Sequence, residues 1–257
     1  MELDLTQQFL TENDCYQAGR TIVPKGIMVH STGVAQPDPE VFIRRWNKPG
    51  VEKCVHAFVA RDRAIQTLPW IIRGWHAGTG TSGRRANNTH ISFECCEPAG
   101  HTYKGGTMIG YDPVKNKAYF QQVYDTAVEL CAYLCEKYGL DPEQDIIDHA
   151  EGCKLGLASN HSDVGQWFPK HGKSMDTLRA DVKARLKGGE PEMTQEQFDA
   201  AFTVHEGEVS ARTVSDWAEE AWNKAKTAGV FDGTAPGAPL TREQAALILE
   251  RLGLLGK

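Results

Sequence analysis

The segment Gly26-Ile-Met-Val-His30 is a short apolar run between turn-forming and polar residues, and this pattern predicts a β-strand. Two further segments, His56-Ala-Phe-Val59 and His90-Ile-Ser-Phe-Glu-Cys95, are equally short and contain β-branched or aromatic residues. They predict two more strands, so a β-sheet forms part of the fold.

Long helices accompany the predicted strands. Over Tyr119 to Tyr138 the apolar residues recur at helical intervals, and Gly139 follows as a C-cap. Ser174 to Leu186 predicts a further helix. Strands combined with long helices predict an α/β domain over residues 1–187, although the pattern does not give the order of the strands.

The end of this domain is marked by Lys187-Gly-Gly-Glu-Pro-Glu-Met-Thr194, where two glycines and a proline interrupt the helical pattern. We place a linker at 188–193 and a small all-α module at 194–257. Thr-x-x-Gln capping boxes at Thr194 and Thr241 predict two helices there, and Ser215 to Ala228 predicts a third. The residues available for one face of that third helix are Trp217, Ala221, Trp222 and Ala225.

The composition is that of a globular protein, with 40% hydrophobic and 24% charged residues in a chain of 257. The net charge is −6, and residues 190–257 carry the whole excess, with 12 acidic and 6 basic side chains. The sequence has no basic run interleaved with aromatic residues, which argues against a nucleic-acid partner.

Targeting signals and cysteine usage indicate where the protein is made. No apolar stretch approaches the roughly 20 residues of a membrane span, so we expect no membrane partner. Residues 1–10 lack the features of a secretory signal, so we expect synthesis in the cytoplasm. The seven cysteines do not follow the spacing of a secreted scaffold, which favours reduced thiols.

Histidines and a carboxylate are the candidates for chemistry. His30 ends the first predicted strand, while His149 and Asp163 lie in a later segment rich in polar residues. Two neutral imidazoles and a carboxylate would hold zinc and leave its fourth tetrahedral position open for water. Spacing alone does not select these three residues from a chain with nine histidines.

Five motifs occur in this order along the chain: Met28-Val-His-Ser-Thr-Gly33, Trp75-His-Ala-Gly78, Asn88-Thr-His-Ile-Ser-Phe-Glu94, His149-Ala-Glu-Gly152 and Ala158-Ser-Asn-His-Ser-Asp-Val164. In order and approximate spacing they resemble the zinc N-acetylmuramoyl-L-alanine amidases of the type-2 family, which are related to peptidoglycan recognition proteins. The similarity covers about residues 20–187 and is greatest to prophage or clostridial wall lysins. It implies a mixed central β-sheet flanked by helices, a bound Zn²⁺, and cleavage of the amide bond between N-acetylmuramic acid and L-alanine in peptidoglycan.

The resemblance implies that His30, His149 and Asp163 are the zinc ligands. The interval from His149 to Asp163 is longer than in the shorter family members, and both His161 and Cys153 lie inside it. Either of these two residues is therefore an alternative third ligand.

Catalytic roles follow from the same resemblance. Glu94 corresponds to a residue that acts on the zinc-bound water, and Glu97 is the alternative for this role. The non-catalytic interpretation of Glu94 is a surface carboxylate at the end of a strand. Because side chains alternate along a strand, we expect Glu94 on the face opposite Phe93 and Cys95. His161 occupies a position at which the family commonly has a lysine that stabilises the oxyanion, although it could instead support the ligand loop.

Trp75, His76 and His56 resemble positions that line the substrate groove of the family. Each of the two histidines could equally be a hydrogen-bonded core residue.

The C-terminal module contains the segments Asp216-Trp-Ala-Glu-Glu-Ala-Trp222, Ala228-Gly-Val-Phe-Asp-Gly233 and Leu240-Thr-Arg-Glu-Gln-Ala245. Together they resemble a single S-layer-homology repeat over about 40 residues. Such repeats typically attach proteins to bacterial cell-wall polymers, so a secondary wall polymer is one expected partner. A docking or homo-oligomerising helix pair is the alternative.

Without a signal peptide, we expect the enzyme to act at the cell wall after its release. A non-catalytic peptidoglycan-binding module and a zinc peptidase are the competing functions.

Overall fold

The computed structural model describes residues 3–188 and 195–255. Within the first of these ranges the chain forms two β-sheets and several helices. The strands are β1 (Leu5–Gln7), β2 (Gly26–Ser31), β3 (Ala57–Val59), β4 (Ala64–Gln66), β5 (His90–Cys95), β6 (Thr102–Lys104), β7 (Thr107–Ile109) and β8 (Ile146–Asp148). The helices are α1 (Asp14–Ala18), α2 (Pro39–Trp46), α3 (Lys117–Tyr138), α4 (Pro142–Asp145), α5 (His149–Lys154) and α6 (Met175–Leu186). Short 3-10 helices span Ala86–Asn88, Asp163–Gln166 and Phe168–His171.

The main sheet has six strands in the order β1-β4-β3-β5-β2-β8. All neighbouring strands are parallel except β3 and β4, which pair antiparallel, so the sheet is mixed. Strands β6 and β7 form a separate hairpin. This architecture confirms the predicted α/β fold with a mixed central sheet.

The two faces of the sheet have different surroundings. Val29, Phe93 and Cys95 are fully buried and belong to the core formed with α3 and α6. Met28 belongs to a separate small cluster, since successive residues of a strand alternate between faces. Glu94 therefore shares the face opposite α3, as predicted from its position between Phe93 and Cys95.

The predicted helices are present with small shifts of their ends. Helix α3 ends at Gly139, whose φ of +64° places it in the left-handed region where glycine has no steric penalty. Helix α6 begins after Ser174, whose side chain accepts a hydrogen bond from the backbone N–H of Thr177. These capping interactions fix the ends of the two helices that cover the core face.

The chain divides into two compact units, Met1–Gly189 and Glu190–Lys257. The division falls within the segment predicted as a linker, and residues 189–194 lie outside the described part of the chain. The C-terminal unit contains α7 (Gln195–Ser210), a 3-10 turn at Asp216–Ala218, α8 (Glu219–Thr227) and α9 (Arg242–Arg251).

Two capping boxes were predicted in this unit. Thr241 forms its box with Gln244, whereas Thr194 lies outside the described residues. The helix predicted over Ser215 to Ala228 is divided into the 3-10 turn and α8, and Trp217 is 89% exposed. Trp222 instead stacks on Phe231, with ring centroids 5.1 Å apart.

Cysteine pairing differs from the prediction. Cys15 and Cys54 form a disulfide, so the expectation of reduced thiols is wrong for this pair. The two residues are 39 positions apart and only the tertiary fold brings them together. The other cysteines are free: Cys95, Cys96, Cys131, Cys135 and Cys153.

In the described ranges, no helix has the length and apolar character needed to cross a membrane.

Candidate active site

Three predicted ligand side chains meet at the carboxyl edge of the main sheet. His30 lies near the end of β2, His149 begins α5 directly after β8, and Asp163 begins a 3-10 helix. Asp163 Oδ2 is 2.8 Å from His30 Nδ1 and 2.9 Å from His149 Nδ1. The two Nδ1 atoms are 3.2 Å apart, so all three donor atoms face one point.

Pairing of the strands explains why His149 lies beside His30. Val29 of β2 is paired with Asp148 of β8, and Asp148 then caps α5 by accepting a hydrogen bond from the backbone N–H of Glu151. Arg179 of α6 forms an ion pair with Glu151 and donates to the backbone carbonyl of Ile146 at 2.9 Å. These contacts fix the first turn of α5 and the histidine that it carries.

Asp163 has a φ of +40°, in the left-handed region that residues other than glycine seldom adopt. This conformation costs on the order of 1–2 kcal/mol, and aspartate is among the residues that tolerate it best. Burial raises the pKa of the Asp163 carboxyl, but the hydrogen bonds with His149 and His30 outweigh burial and hold the pKa below its usual range. Asp163 is therefore a carboxylate held against two imidazoles.

The donor set suits a zinc ion. Zinc bonds of about 2.0–2.2 Å in tetrahedral geometry place ligand atoms roughly 3.3 Å apart, close to the separations observed here. Burial lowers the pKa of His30, although Asp163 opposes this effect, and neutral imidazole is the form that binds metal. His30, His149 and Asp163 are the group with metal-ligand geometry among the described residues. Neither His161 nor Cys153 belongs to it.

His161 and Ser159 lie beside this cluster. His149 Nε2 is 3.3 Å from Ser159 Oγ, which is in turn 3.1 Å from His161 Nδ1. The ring of His161 is exposed and its centroid is 4.7 Å from that of His149. Nδ1 of His161 is thus occupied by Ser159, and Nε2 is the nitrogen that remains for other contacts.

Glu94 of β5 is paired with His30 of β2 and points to the same face of the sheet. Its Oε2 is buried and has no hydrogen-bond partner among the described residues. Burial raises the pKa of Glu94 well above its ordinary value, and the nearby Asp163 and Glu97 carboxylates raise it further. A buried carboxyl group with a raised pKa and an unpartnered oxygen is typical of a general acid or base.

Glu97 lies three residues further along the chain and is fully buried. Its carboxylate accepts hydrogen bonds from the Ser31 hydroxyl at 2.7 Å and from the Tyr103 hydroxyl at 2.9 Å. His101 Nε2 lies 2.9 Å from its other oxygen. Glu97 therefore joins the end of β2 to the β6–β7 hairpin, and both of its oxygens already have hydrogen-bond partners.

The three predicted groove residues have different positions. His76 Nδ1 is 3.0 Å from His30 Nε2, so this residue contacts a candidate ligand directly. His56 is fully buried, with Nε2 donating to the Ile72 carbonyl at 2.8 Å and Nδ1 accepting from the Ser92 N–H at 3.0 Å. His56 thus corresponds to the alternative of a hydrogen-bonded core histidine. Trp75 is half-buried against the cluster beside α2.

The loop that follows His76 crosses the loop that precedes Asp163. Ser159 N–H donates to the Ala77 carbonyl at 2.9 Å, and Ser82 N–H donates to the Gly156 carbonyl at 3.1 Å. A Cβ atom at Gly80 would lie 2.0 Å from the Gly156 carbonyl oxygen, so only glycine fits there. We call this contact the loop crossing.

Several supporting residues have no sequence signal of their own. Ser31, His101, Tyr103 and Arg179 act through partners that are distant in the chain. Polar residues of these types are common, and only the tertiary structure shows which of them are buried and paired.

Three features define a candidate metal hydrolase: the mixed sheet, the convergent group of two histidines and a carboxylate, and the adjacent Glu94. The family model described as N-acetylmuramoyl-L-alanine amidase (Amidase_2) matches residues 19–166. The chain belongs to this family.

Among curated proteins, the chain is similar to the N-acetylmuramoyl-L-alanine amidase CwlH of Bacillus subtilis (strain 168). The two are 28% identical over 105 residues, which is 40% of this chain and 42% of that protein. The matched region thus spans less than half of the relative.

Solved structures have the same fold. The hydrolase AmiA of Staphylococcus aureus matches with a TM-score of 0.54 and 23% identity, covering 75% of this chain and 88% of that one. The catalytic domain of XlyA matches with a TM-score of 0.51 and 20% identity, covering 70% and 99%.

Proposed function

We propose that the protein is a zinc-dependent peptidoglycan hydrolase that cleaves the amide bond between N-acetylmuramic acid and the L-alanine of the stem peptide. The observation that supports this most is the meeting of His30, His149 and Asp163 beside Glu94, in a chain of the amidase family. The similarity to CwlH, an N-acetylmuramoyl-L-alanine amidase, supports the same reaction.

His30, His149 and Asp163 would hold the zinc ion. When bound, zinc supplies a Lewis acid that polarises a carbonyl and lowers the pKa of a coordinated water. Glu94 accepts the proton of the attacking water at Oε2, its buried and unpartnered oxygen, and later returns a proton to the leaving amine. His161 donates from Nε2 to the oxyanion that develops on the scissile carbonyl, while Ser159 holds its Nδ1.

Substrate contacts are proposed for Trp75 and His76, which are half-buried at the face that carries Glu94. His56 contributes indirectly, because it is enclosed by Ser92 and Ile72 and fixes the segment that leads to His76.

The cleaved bond is tested by mass spectrometry of purified peptidoglycan digested with the protein. New N-terminal L-alanine together with free N-acetylmuramic acid termini supports the amidase. New termini within the stem peptide would identify a peptidase instead. An undigested wall that retains the protein would identify a binding module.

The metal is tested by zinc analysis of the wild type beside His30→Ala. We expect one zinc per chain in the wild type, little in the variant, and recovery of activity when zinc is returned to a chelated sample. Active wild-type protein without metal would contradict the mechanism, and equal zinc in both proteins would remove His30 from the ligand set.

The C-terminal unit is proposed to hold the enzyme on a secondary cell-wall polymer, with self-association as the alternative. A cavity of about 530 Å³ supports the first idea, because it combines aromatic side chains (Trp222 and Phe231) with polar ones (Asp232, Thr234 and Arg251). We further propose that the enzyme is made in the cytoplasm and acts at the wall after release. Fractionation of producing cells before and after lysis tests this.

A further inference from the structure

The candidate ligand His30 is supported by a second imidazole. Its Nδ1 faces Asp163 and His149, while its Nε2 lies 3.0 Å from Nδ1 of His76. Histidines that bind metals usually donate their other ring N–H to a carboxylate or a backbone carbonyl. A neutral histidine in this place is unusual because it can either donate or accept a hydrogen bond.

His76 is held firmly in this position. The Asn87 side-chain oxygen accepts hydrogen bonds from the backbone N–H groups of His76 and Ala77, each at 2.9 Å. The His76 ring meets the His30 ring edge-on, with centroids 5.2 Å apart. A Cβ atom at Gly74 would lie 3.0 Å from the His76 ring, so the chain leaves little space for the ring to move. The contact with His30 is therefore built into the fold.

The ring nitrogens allow two arrangements of protons. If His30 is protonated at Nε2, it donates to His76 Nδ1, and its own Nδ1 lone pair is free for a metal. If His76 is protonated at Nδ1, it donates to His30 Nε2, and His30 must then carry its proton at Nδ1, where it faces Asp163. Only the first arrangement permits His30 to bind zinc through Nδ1.

We infer that His76 is a positioning residue that sets the tautomer of His30, accepting its Nε2–H so that Nδ1 is presented to the metal. This inference rests on the zinc site of the proposed function. Nε2 of His76 is buried without a partner among the described residues, so no hydrogen bond at that nitrogen fixes the tautomer of His76.

This arrangement gives the hydrogen bond a direction that depends on the metal. In the metal-free protein His76 donates to His30, and His30 donates to Asp163. Binding of zinc reverses the first of these bonds and replaces the second. Each ring carries one proton before and after, so the pair releases no proton when zinc binds. A carboxylate in place of His76 could only accept and would not permit this reversal.

The first test measures zinc affinity by competition with a chelator, in the full-length protein. His76→Leu removes the acceptor, and we expect affinity to fall about 10- to 100-fold, the usual effect of removing such a partner. His76→Asn places an amide oxygen near the position of Nδ1, and we expect it to restore most of the affinity.

The matched control is His90, a buried histidine at the opposite end of β5 that is paired with Gly26, four positions before His30. His90→Leu and His90→Asn should bind zinc as tightly as the wild type. Wild-type affinity in His76→Leu would overturn the inference, as would equal losses in His76→Leu and His76→Asn. Absence of zinc from the wild type would instead refute the proposed function.

The second test uses ¹⁵N spectra of the histidine rings in the wild type, which do not depend on any variant folding. With zinc bound, we expect both His30 and His76 to be protonated at Nε2. After zinc removal, we expect both to be protonated at Nδ1. A zinc-loaded protein in which His76 is protonated at Nδ1 would overturn the proposed role.

Discussion

The two compact units of the chain differ in what they bury. The unit that ends at Gly189 encloses a continuous apolar core and also buries His30, Glu97 and His149. In the C-terminal unit, helices α8 and α9 contain no buried residue, and Trp217 is 89% exposed. A dehydrated reaction site needs the first kind of environment, whereas apolar side chains left on a surface are typical of a unit that contacts other molecules. Substitutions in the first unit should therefore cost much more than substitutions in the second.

The largest effect is expected at Glu97, the most enclosed carboxylate of the first unit. Glu97→Ala would leave the Ser31 and Tyr103 hydroxyls and the His101 ring without their partner. We expect the free energy of unfolding, measured by urea denaturation, to fall by about 3–5 kcal/mol. The exposed Glu52→Ala is the control and should change it by less than about 0.5 kcal/mol. A loss at Glu97 below about 1 kcal/mol would remove the distinction between a structural and an exposed carboxylate.

Acid should also destabilise the first unit, because this unit buries histidine side chains in their neutral form. Burial lowers the pKa of His56 to about 4, against the opposing hydrogen bonds with Ile72 and Ser92. The unfolded chain, with a histidine pKa near 6.5, therefore binds more protons than the folded one between these values. The contribution of His56 to the free energy of unfolding is therefore fully present above pH 6.5. It falls by about 3 kcal/mol as the pH drops to 4.

This pH dependence is measured as the difference in unfolding free energy between pH 6.5 and pH 4, in the wild type and in His56→Asn. In His56→Asn the difference in unfolding free energy between the two pH values should lack the contribution of His56, whatever the absolute stability of the variant. An equal difference in both proteins would assign the acid sensitivity to other groups.

A substitution at Glu94 tests a catalytic role in the first unit without removing a structural contact. Glu94→Gln keeps the shape of the side chain and removes its proton transfer, so we expect kcat to fall by about 100-fold or more, equivalent to about 2.7 kcal/mol. Zinc content should be unchanged. Wild-type turnover on purified wall fragments would transfer the role to another group, and loss of zinc would show that Glu94 shapes the metal site.

Removal of the C-terminal unit should have a smaller effect, because all the proposed catalytic and ligand residues precede it. A protein ending at Gly188 should hydrolyse soluble muropeptides within about twofold of the full chain. On intact walls its activity should fall about tenfold, since the loss of a second attachment lowers the effective concentration of enzyme. Loss of zinc or of folding would show that the two units depend on each other. Unchanged wall activity with an altered mass in light scattering would favour self-association.

The smallest effect on stability is expected at Trp217. Because its side chain is already in water, Trp217→Ser should change the unfolding free energy by less than about 0.5 kcal/mol. Trp222→Ser is the matched comparison and should cost about 1 kcal/mol, because Trp222 stacks on Phe231. A larger loss at Trp217 than at Trp222 would mean that its exposed ring is covered in the folded protein in solution.

Much of the fold followed from local patterns. Strands β2 and β5 and helix α3 are long enough for their hydrophobic periodicity to identify them. Strand β8 was missed because it has only two apolar residues, Ile146 and Ile147, before the polar Asp148, and these do not form a run like that of His56-Ala-Phe-Val59. Its position matters, since it places His149 beside His30. The disulfide was missed because pairing of Cys15 with Cys54 is a tertiary event.

The candidate site was predicted only in part, because local motifs identify some of its residues and tertiary contacts define the rest. Motif resemblance selected His30, His149, Asp163 and Glu94, which the fold brings together. It did not distinguish the positions of His56 and His76, because a buried core histidine and a ligand-supporting histidine have the same local sequence character. Only the sheet register and the hydrogen bonds separate them.

The loop crossing has a consequence for how such sequences change over time. Where Gly80 passes Gly156 with no space for a side chain, an insertion in one loop displaces the other. The length of the spacer between His149 and Asp163 is then not an independent variable, since it must match the loop that carries Gly78 and Gly80. Inherited variation in these two motifs should occur as paired changes, and grafting one loop from a relative without the other would separate loops whose shapes fit each other.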